Sequence, residues 1–255
     1  MELETKFIGK YLKRFDEISS TNTEMKKNII NIPNGGVYTA EYQSLGRGRL
    51  GRKWEANRGS SLMFSIVLKP SCKCEKFPTI TPLVALCMVK VLEKMNFNAS
   101  IKWPNDILIN KKKCCGILCE AIFDKSNAII IGIGLNVNSK KDEFDDSFKN
   151  HVTSLSLEKK DNYKREEILF DFLNTFEPMY EKWEQSGSLE YFINDIQRNL
   201  YHLNRNVKLL SNDTSEDASI LGLNIDGSLK VKYKNGKVVN IKSGEISLRG
   251  ENQYV

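Results

Sequence analysis

Nine consecutive residues, Gly46-Arg47-Gly48-Arg49-Leu50-Gly51-Arg52-Lys53-Trp54, combine what is needed to grip an anion. The three glycines free the backbone for positive φ and for close approach to a ligand. Four cationic side chains within eight residues concentrate positive charge on that frame. The spacing Gly46-x-Gly48-x-x-Gly51 also satisfies the dinucleotide fingerprint and nearly satisfies a P-loop. Both of those need a helix next, so that its N-terminus receives the phosphates. The chain instead continues into Asn57-Arg58-Gly59-Ser60-Ser61 and the strand-like run Leu62–Leu68, and Arg52-Lys53 stands where a P-loop has Lys-Ser/Thr. The expectation is a loop between two strands that closes over an anionic ligand with arginines.

Other residues suited to chemistry sit at the ends of elements. Asn98–Trp103 reads as a strand stopped by Pro104, with Lys102 inside it; its ammonium must either snorkel out or meet an anion, and position alone leaves the two readings equal. Gln43 ends the strand Val37–Gln43, as a plain exposed tip unless the loop beside it is functional. Thr21-x-x-Glu24 is a capping box opening a helix towards Ile30. A helix start with spare hydroxyl and amide groups, here Ser20-Thr21-Asn22, also suits a small polar ligand head. Ala128–Asn138 is an apolar strand with Gly132 and Gly134, marking close approach of a ligand or of a neighbouring element. Asn136 and Asn138 serve there as strand terminators. Lys111-Lys112-Lys113 reads as a solvated hairpin tip before the strand Cys114–Ile122.

The rest is scaffold. Thr81-Pro82 opens a helix whose face Leu83, Leu86, Cys87 and Val91 packs on the sheet. Residues 139 to about 164 are polar and irregular. A strongly amphipathic helix runs from Arg165 through Ile168, Phe172, Phe176 and Trp183, with Pro178 expected to bend it, and a shorter one covers Leu189 to about Asn199. From Asn204 the texture changes to short strands at 207–210, 218–223, 229–233, 238–241 and 245–249, with Asp226-Gly227 and Asn235-Gly236 as hairpin turns. The texture suggests an α/β domain with a small SH3-like barrel appended from about Asn204.

Composition excludes several classes. The charge is +6 from 38 basic and 32 acidic residues, and outside the glycine loop it is scattered, so a nucleic-acid footprint is weakly supported. The six cysteines form no Cys-x-x-Cys pair and the only histidines are His151 and His202. That argues against a zinc site, a disulfide framework and a histidine-dependent hydrolase, and for reduced, buried thiols. The charged start Met1–Phe7 has no signal-peptide core and no apolar run approaches a membrane span of about 20 residues, which leads to the expectation of a cytoplasmic protein.

Taken in order, Ser20-Thr21-Asn22, Gln43, Gly46–Trp54, Lys102-Trp103-Pro104-Asn105-Asp106, Gly116–Glu120, Gly132-x-Gly134-x-Asn136 and Gly244–Arg249 closely resemble the motifs of biotin protein ligases. The match spans about residues 15–138 and again about 205 to the end. The resemblance implies an α+β organisation: a catalytic domain over residues 1–203 with a mixed sheet and flanking helices, related to class II aminoacyl-tRNA synthetases, followed by the SH3-like barrel over residues 204–255. It also implies roles. Ser20, Thr21, Asn22 and Gln43 would hold or shape the pocket for biotin's ureido head, with Gly116 lining the site. Arg47, Gly48 and Arg49 would fold over the biotin carboxylate and the adenylate phosphate, and Lys102 would contact the reacting oxygens, making Arg49 and Lys102 the catalytic pair. Arg52, Trp54, Asn105, Gly134, Asn136 and Arg249 would serve the nucleotide. No residue is assigned as a metal ligand; Mg²⁺ is expected with ATP.

The implied reaction makes sense of those residue types. A carboxylate must attack the α-phosphate of ATP, and two unit negative charges repel by about 4 kcal/mol at 4 Å and an effective dielectric near 20. Arginine and lysine oppose that repulsion. The expected partner is an acidic biotin carboxyl carrier protein, with no nucleic acid or membrane involved. Family members occur as monomers and homodimers, and, with the first motif by residue 20, a monofunctional ligase without an N-terminal DNA-binding domain is expected. Two alternatives remain open: a lipoate protein ligase with the same adenylation chemistry, and a basic nucleic-acid-binding module.

Overall fold

The computed structural model describes residues 2–123, 127–211, 214–243 and 247–250. Gly244-Glu245-Ile246, which begin the terminal motif, and the side chain of Cys74 lie outside the described residues. The main sheet has seven strands: β1 (Leu12–Ile18), β2 (Val37–Gln43), β3 (Ser61–Leu68), β4 (Ala99–Lys102), β5 (Asp106–Ile109), β6 (Lys112–Ile122) and β7 (Ala128–Asn136). Their order is β1-β2-β3-β7-β6-β5-β4. β1 pairs with β2 in parallel and the other neighbours are antiparallel, so the sheet is mixed as expected.

β3 is buried along its whole length and β7 nearly so, because both faces of the sheet's centre are covered. On one face α1 (Thr21–Lys27) and the turn after it press Met25, Ile29 and Ile32 onto Tyr38, Val67 and Ile130. On the other lies α2 (Ile80–Lys94). Sequence periodicity suggests one apolar face for α2, yet eleven of its fifteen residues are buried. A second layer, α4 (Arg165–Ser186), covers its outer side, and a helix apolar all round belongs between two layers. α2 also begins earlier than Thr81-Pro82 implies. Thr79 is the N-cap and Pro82 falls in the first turn, where a missing N–H costs nothing.

α4 buries the residues its period indicates, continues through Pro178 as one helix and ends at Gly187 with φ of 62°. The stretch read as irregular contains a further helix, α3 (Leu155–Lys159). Its N-cap is Ser154, whose hydroxyl accepts from the Leu157 amide at 3.2 Å. α5 (Ile193–Arg198) is shorter than expected.

The second sheet is antiparallel and five-stranded: β8 (Asn206–Ser211), β9 (Thr214–Leu223), β10 (Leu229–Tyr233), β11 (Val238–Ile241) and β12 (Ser247–Gly250), in the order β11-β10-β9-β8-β12. Gly227 (φ 80°) and Gly236 (φ 84°) take the left-handed conformations that tight turns require. The chain leading into this sheet is stitched along the edge strand β4: the Ile101 amide donates to Asn199 O at 2.7 Å and the Tyr201 amide to Ile101 O at 2.8 Å. An otherwise open sheet edge is thereby satisfied. Trp103 Nε1 donates to Gly227 O at 3.3 Å, so the second sheet rests beside the end of β4 that carries Lys102. No helix of the described residues is long and apolar enough to cross a membrane.

Candidate active site

Sheet register builds the floor of the site. Lys102 pairs with Asp106, Asp106 with Gly116, Gly116 with Gly134 and Gly134 with Met63, so one row runs straight across β4, β5, β6, β7 and β3. Two residues along the same strands, Leu118, Gly132 and Ser65 form a second row on the same face. Residues at i and i+2 share a face about 7 Å apart. Towards the middle of β7 this face carries Ile130 under α1; beyond the first turn of α1 it carries Gly132 and Gly134 instead, and a cleft opens.

The glycines are there for what lies on them. A Cβ on Gly132 would stand 2.3 Å from Asn22 Oδ1, and one on Gly134 2.4 Å from the Trp54 indole; one on Gly116 would be 3.1 Å from the same ring. Trp54 therefore lies flat across β6 and β7. Gly134→Ala should push the indole back by roughly 1 Å to reach van der Waals distance. Since Trp103 and Trp183 are fully buried, a red shift of the tryptophan emission would report Trp54 alone; an unchanged spectrum would count against this packing.

The cleft encloses ≈ 940 Å³ of empty space including its open mouth. Of the fifteen residues the sequence nominates, fourteen line it: Ser20, Thr21, Asn22, Gln43, Arg47, Gly48, Arg49, Arg52, Trp54, Lys102, Asn105, Gly116, Gly134 and Arg249. Asn136 does not. It is buried, donates to Thr153 O at 3.1 Å and accepts from Ser61 Oγ at 3.3 Å, so its amide ties β7 to the following loop.

One end of the cleft is neutral and hydrogen-bonding. The Thr21 amide donates to Gln43 Oε1 at 2.7 Å, with Thr21 Oγ1 3.1 Å from the same oxygen. This corrects the capping-box reading. Ser20 is the N-cap, no side chain caps the helix, and the Thr21 hydroxyl faces Gln43 and Ser65. Ser65 Oγ stands 2.7 Å from Thr21 Oγ1 and 2.5 Å from Asn22 Oδ1. Asn22 Nδ2 in turn donates to Glu120 Oε2 at 2.9 Å, and Arg47 Nη1 donates to Glu120 Oε1 at 3.1 Å.

The other end is cationic. Arg47, Arg49, Arg52, Lys53, Lys102, Lys113 and Arg249 line the cleft, against Asp106 as the one carboxylate among the described lining residues. The glycine loop connects β2 to β3 as expected and is closed on itself by an Arg47–Lys53 bridge. Arg49 donates to Asn105 Oδ1 at 3.1 Å and to Ser243 O, tying the loop to both sheets. Burial lowers the Arg49 pKa, with Asp106 opposing. Lys102 is only 3% exposed. Burial pushes its ammonium down to about 7, Asp106 pulls the other way, and Arg249, Lys113 and Arg52 add to the depression. Of the two readings of Lys102, snorkelling is excluded. It is a buried cation among cations, an arrangement that favours an anionic ligand.

Lys113 corrects the reading of Lys111-Lys112-Lys113 as a solvated tip. Asn110 and Lys111 make the turn, with φ of 48° and 66°, whereas Lys113 points into the cleft and pairs with Asp106 at 2.7 Å. The cause is a β-bulge. Ile107 faces Cys115 but Leu108 faces Lys113, so Cys114 is the extra residue and the next side chain is re-aimed to the cleft face. Sequence alternation cannot show such a change. Ser65 is different, because a hydroxyl inside Leu62–Leu68 must find a partner when buried, and that signal was available.

The described residues show no group of three or more His, Cys, Asp or Glu fit to hold a metal ion. Asp106 is ion-paired with Lys113, and Glu120 with Arg47. The described residues thus form no all-protein cage for a divalent cation. Cys87, Cys114 and Cys115 are free thiols, buried as composition implies, and Cys119 is a free thiol only partly buried.

The model of the biotin/lipoate A/B protein ligase family matches residues 14–138, which hold the mixed sheet and most of the cleft lining, and with a relative 30% identical over 95% of this chain and 100% of its own length the chain belongs to the biotin protein ligases. The model of the biotin protein ligase C-terminal domain matches residues 202–249. The chain is 38% identical over 191 residues to the bifunctional ligase/repressor BirA of Bacillus spizizenii, covering 72% of this chain and 58% of that protein's length. It is 30% identical to a biotin protein ligase from Aquifex aeolicus solved in complex with biotin and ATP, with a TM-score of 0.83, covering 95% of this chain and 100% of that one. A biotin–[acetyl-CoA-carboxylase] ligase of Paracoccus denitrificans is 32% identical over 128 residues, 48% of this chain and 53% of its own.

Proposed function

We propose that the chain is an ATP-dependent ligase that joins biotin to a lysine of a biotin carboxyl carrier protein through biotinyl-5′-AMP, with residues 1–203 as catalytic domain and 204–255 as a C-terminal barrel. The observation that carries this reading is the division of one cleft into a neutral hydrogen-bonding end and a cationic end on adjacent rows of the same sheet. Biotin has that form: a ureido head, an apolar chain and a terminal carboxylate.

The ureido head fits the Thr21, Gln43 and Asn22 end. The carboxylate and the α-phosphate fall among Arg47, Arg49, Lys102 and Lys113. These cations offset the repulsion between the two anions and stabilise charge that builds up as the carboxylate attacks phosphorus and pyrophosphate leaves. Trp54, seated on Gly134, offers the outer face of its indole to the adenine. Arg49, anchored to Asn105 and to Ser243 O, holds the glycine loop over the mixed anhydride and keeps water out until an acceptor lysine arrives.

The deciding experiment is mass spectrometry of the purified protein incubated with Mg-ATP and either biotin or lipoate, without acceptor. Biotinyl-AMP alone is the expected product. Lipoyl-AMP would overturn the substrate assignment, and neither product would overturn the reaction. Arg49→Gly should loosen the loop, so that adenylate escapes and biotin appears on lysines of an added bystander such as serum albumin. Bystander labelling no greater than with the wild type would refute this role for Arg49.

A further inference from the structure

Glu120 closes a continuous chain of polar side chains that begins on the glycine loop and ends at the head pocket: Arg47, Glu120, Asn22, Ser65, Thr21, Gln43. A carboxylate only accepts hydrogen bonds, an amide has one accepting and one donating end, and each hydroxyl has a single proton. Those limits determine the direction of the chain. With Glu120 Oε2 accepting at 2.9 Å, Asn22 must turn Nδ2 towards it, and Oδ1 then faces Ser65 and Gly132. The 2.5 Å contact between Ser65 Oγ and Asn22 Oδ1 needs a proton, which only Ser65 can supply. With the one Ser65 proton committed to Asn22 Oδ1, the 2.7 Å contact between Ser65 Oγ and Thr21 Oγ1 is closed only if the Thr21 hydroxyl turns its proton to Ser65, giving up donation to Gln43 Oε1 3.1 Å away. Gln43 Oε1 is then held by the Thr21 backbone amide at 2.7 Å. Thr21 Oγ1 and Gln43 Oε1 are left with accepting lone pairs beside the cleft.

We infer that Glu120 is a positioning residue for the head pocket: it sets the polarity of the Asn22-Ser65-Thr21 chain, so that the pocket accepts hydrogen bonds from the N–H groups of its ligand, and it ties that pocket to Arg47 of the loop. The inference rests on the biotin reading above, since a ureido head supplies two N–H donors. Position supports it as well. Gly132 leaves room for Asn22 Oδ1 where any Cβ would stand 2.3 Å away, so the orientation of this amide is built into the sheet.

The polarity argument makes a reversal testable. In E120Q the residue has one accepting atom for two donors, Arg47 and Asn22, and its amide can drive Asn22 to flip. In N22D/E120Q the carboxylate sits at position 22, accepts from Ser65 as before and receives a hydrogen bond from Gln at 120, whose oxygen still accepts from Arg47. The direction of the chain is restored, apart from the 3.3 Å contact of Asn22 Nδ2 with Leu118 O.

Isothermal titration of wild type, E120Q and the double variant with biotin, together with steady-state KM values for biotin and ATP, tests this. E120Q should bind biotin at least tenfold more weakly with KM for ATP changed less than about threefold, and N22D/E120Q should recover most of the loss. E120Q binding biotin as the wild type does, or a double variant no better than E120Q, overturns the role of Glu120 and leaves the biotin reading intact. A wild-type chain that binds no biotin overturns both. If E120Q does not fold, the double variant decides alone: biotin affinity within about threefold of wild type supports the inference, and lost affinity refutes it.

Discussion

Replacing Lys102 by Met should lower kcat/KM for the proposed formation of biotinyl-AMP by about 10²- to 10³-fold, the range observed when one preorganised group is removed from a charge-stabilising site. A pyrophosphate-release assay measures it, and a loss below tenfold would remove Lys102 from the chemistry. The same residue gives a pH signature whose sign follows from its surroundings. In the free protein the Lys102 pKa is near 7, because burial outweighs Asp106 and neighbouring cations add to the depression. An anion placed against the ammonium raises that pKa, so the complex carries a proton that the free protein has lost above pH 7. Affinity for biotinyl-AMP should therefore be level below pH 7 and weaken by up to tenfold per unit above it. Titration calorimetry in buffers of different ionisation enthalpy would register proton uptake near pH 8. Lys102→Met should abolish that uptake, and a slope unchanged in the variant would assign it to another group.

The second large effect concerns stability. Glu177 lies in α4 with 3% exposure, and its carboxylate accepts from three successive backbone amides, of Lys6, of Phe7 at 3.0 Å and of Ile8 at 2.7 Å. Glu177→Ala leaves all three N–H groups without that partner. Each unmade buried bond costs about 1–3 kcal/mol, and partial rehydration of the segment brings the expected total to about 3–4 kcal/mol. At about 2–4 °C per kcal/mol for a protein of this size, the melting temperature should fall by roughly 6–16 °C. Differential scanning calorimetry decides, and biotin affinity should change less than twofold. A fall under 2 °C would mean that the segment before β1 is not anchored by Glu177.

How much of this was legible in the sequence depended on whether the signal was local. The strands β2, β3 and β7, the burial stripe of α4 and the hairpin turns of the second sheet follow from patterns within one segment. The glycine loop was readable because its residue types have one common use. Lys102 stands out in sequence as a cation inside a strand, but its choice between solvent and anion depends on β5, β6 and the second sheet closing over it. The depth of burial of α2 was not readable, because α4 lies over it from about 80 residues away in the chain. Lys113 reads as a hairpin tip in sequence because a single bulged residue, Cys114, reverses the alternation on which strand patterns rest. Thr21-x-x-Glu24 looks like a cap and is not one; a tertiary partner, Gln43, took up the first amide of the helix.

The row from Lys102 through Asp106, Gly116 and Gly134 to Met63 bears on which length changes the gene can tolerate. These residues adjoin through strand pairing, and one added or deleted residue in β5, β6 or β7 would turn every following side chain to the opposite face. The segment from Ser139 to Asn150, outside the row, has no such parity to keep. A library of single-codon insertions across the gene, selected for biotin transfer, should therefore trace the active site as a contiguous gap over β5 to β7, interrupted only at turns. Cys114 makes a sharper point within that gap: deleting it should be worse than replacing it with Val, since its contribution to the site is to be counted in the strand.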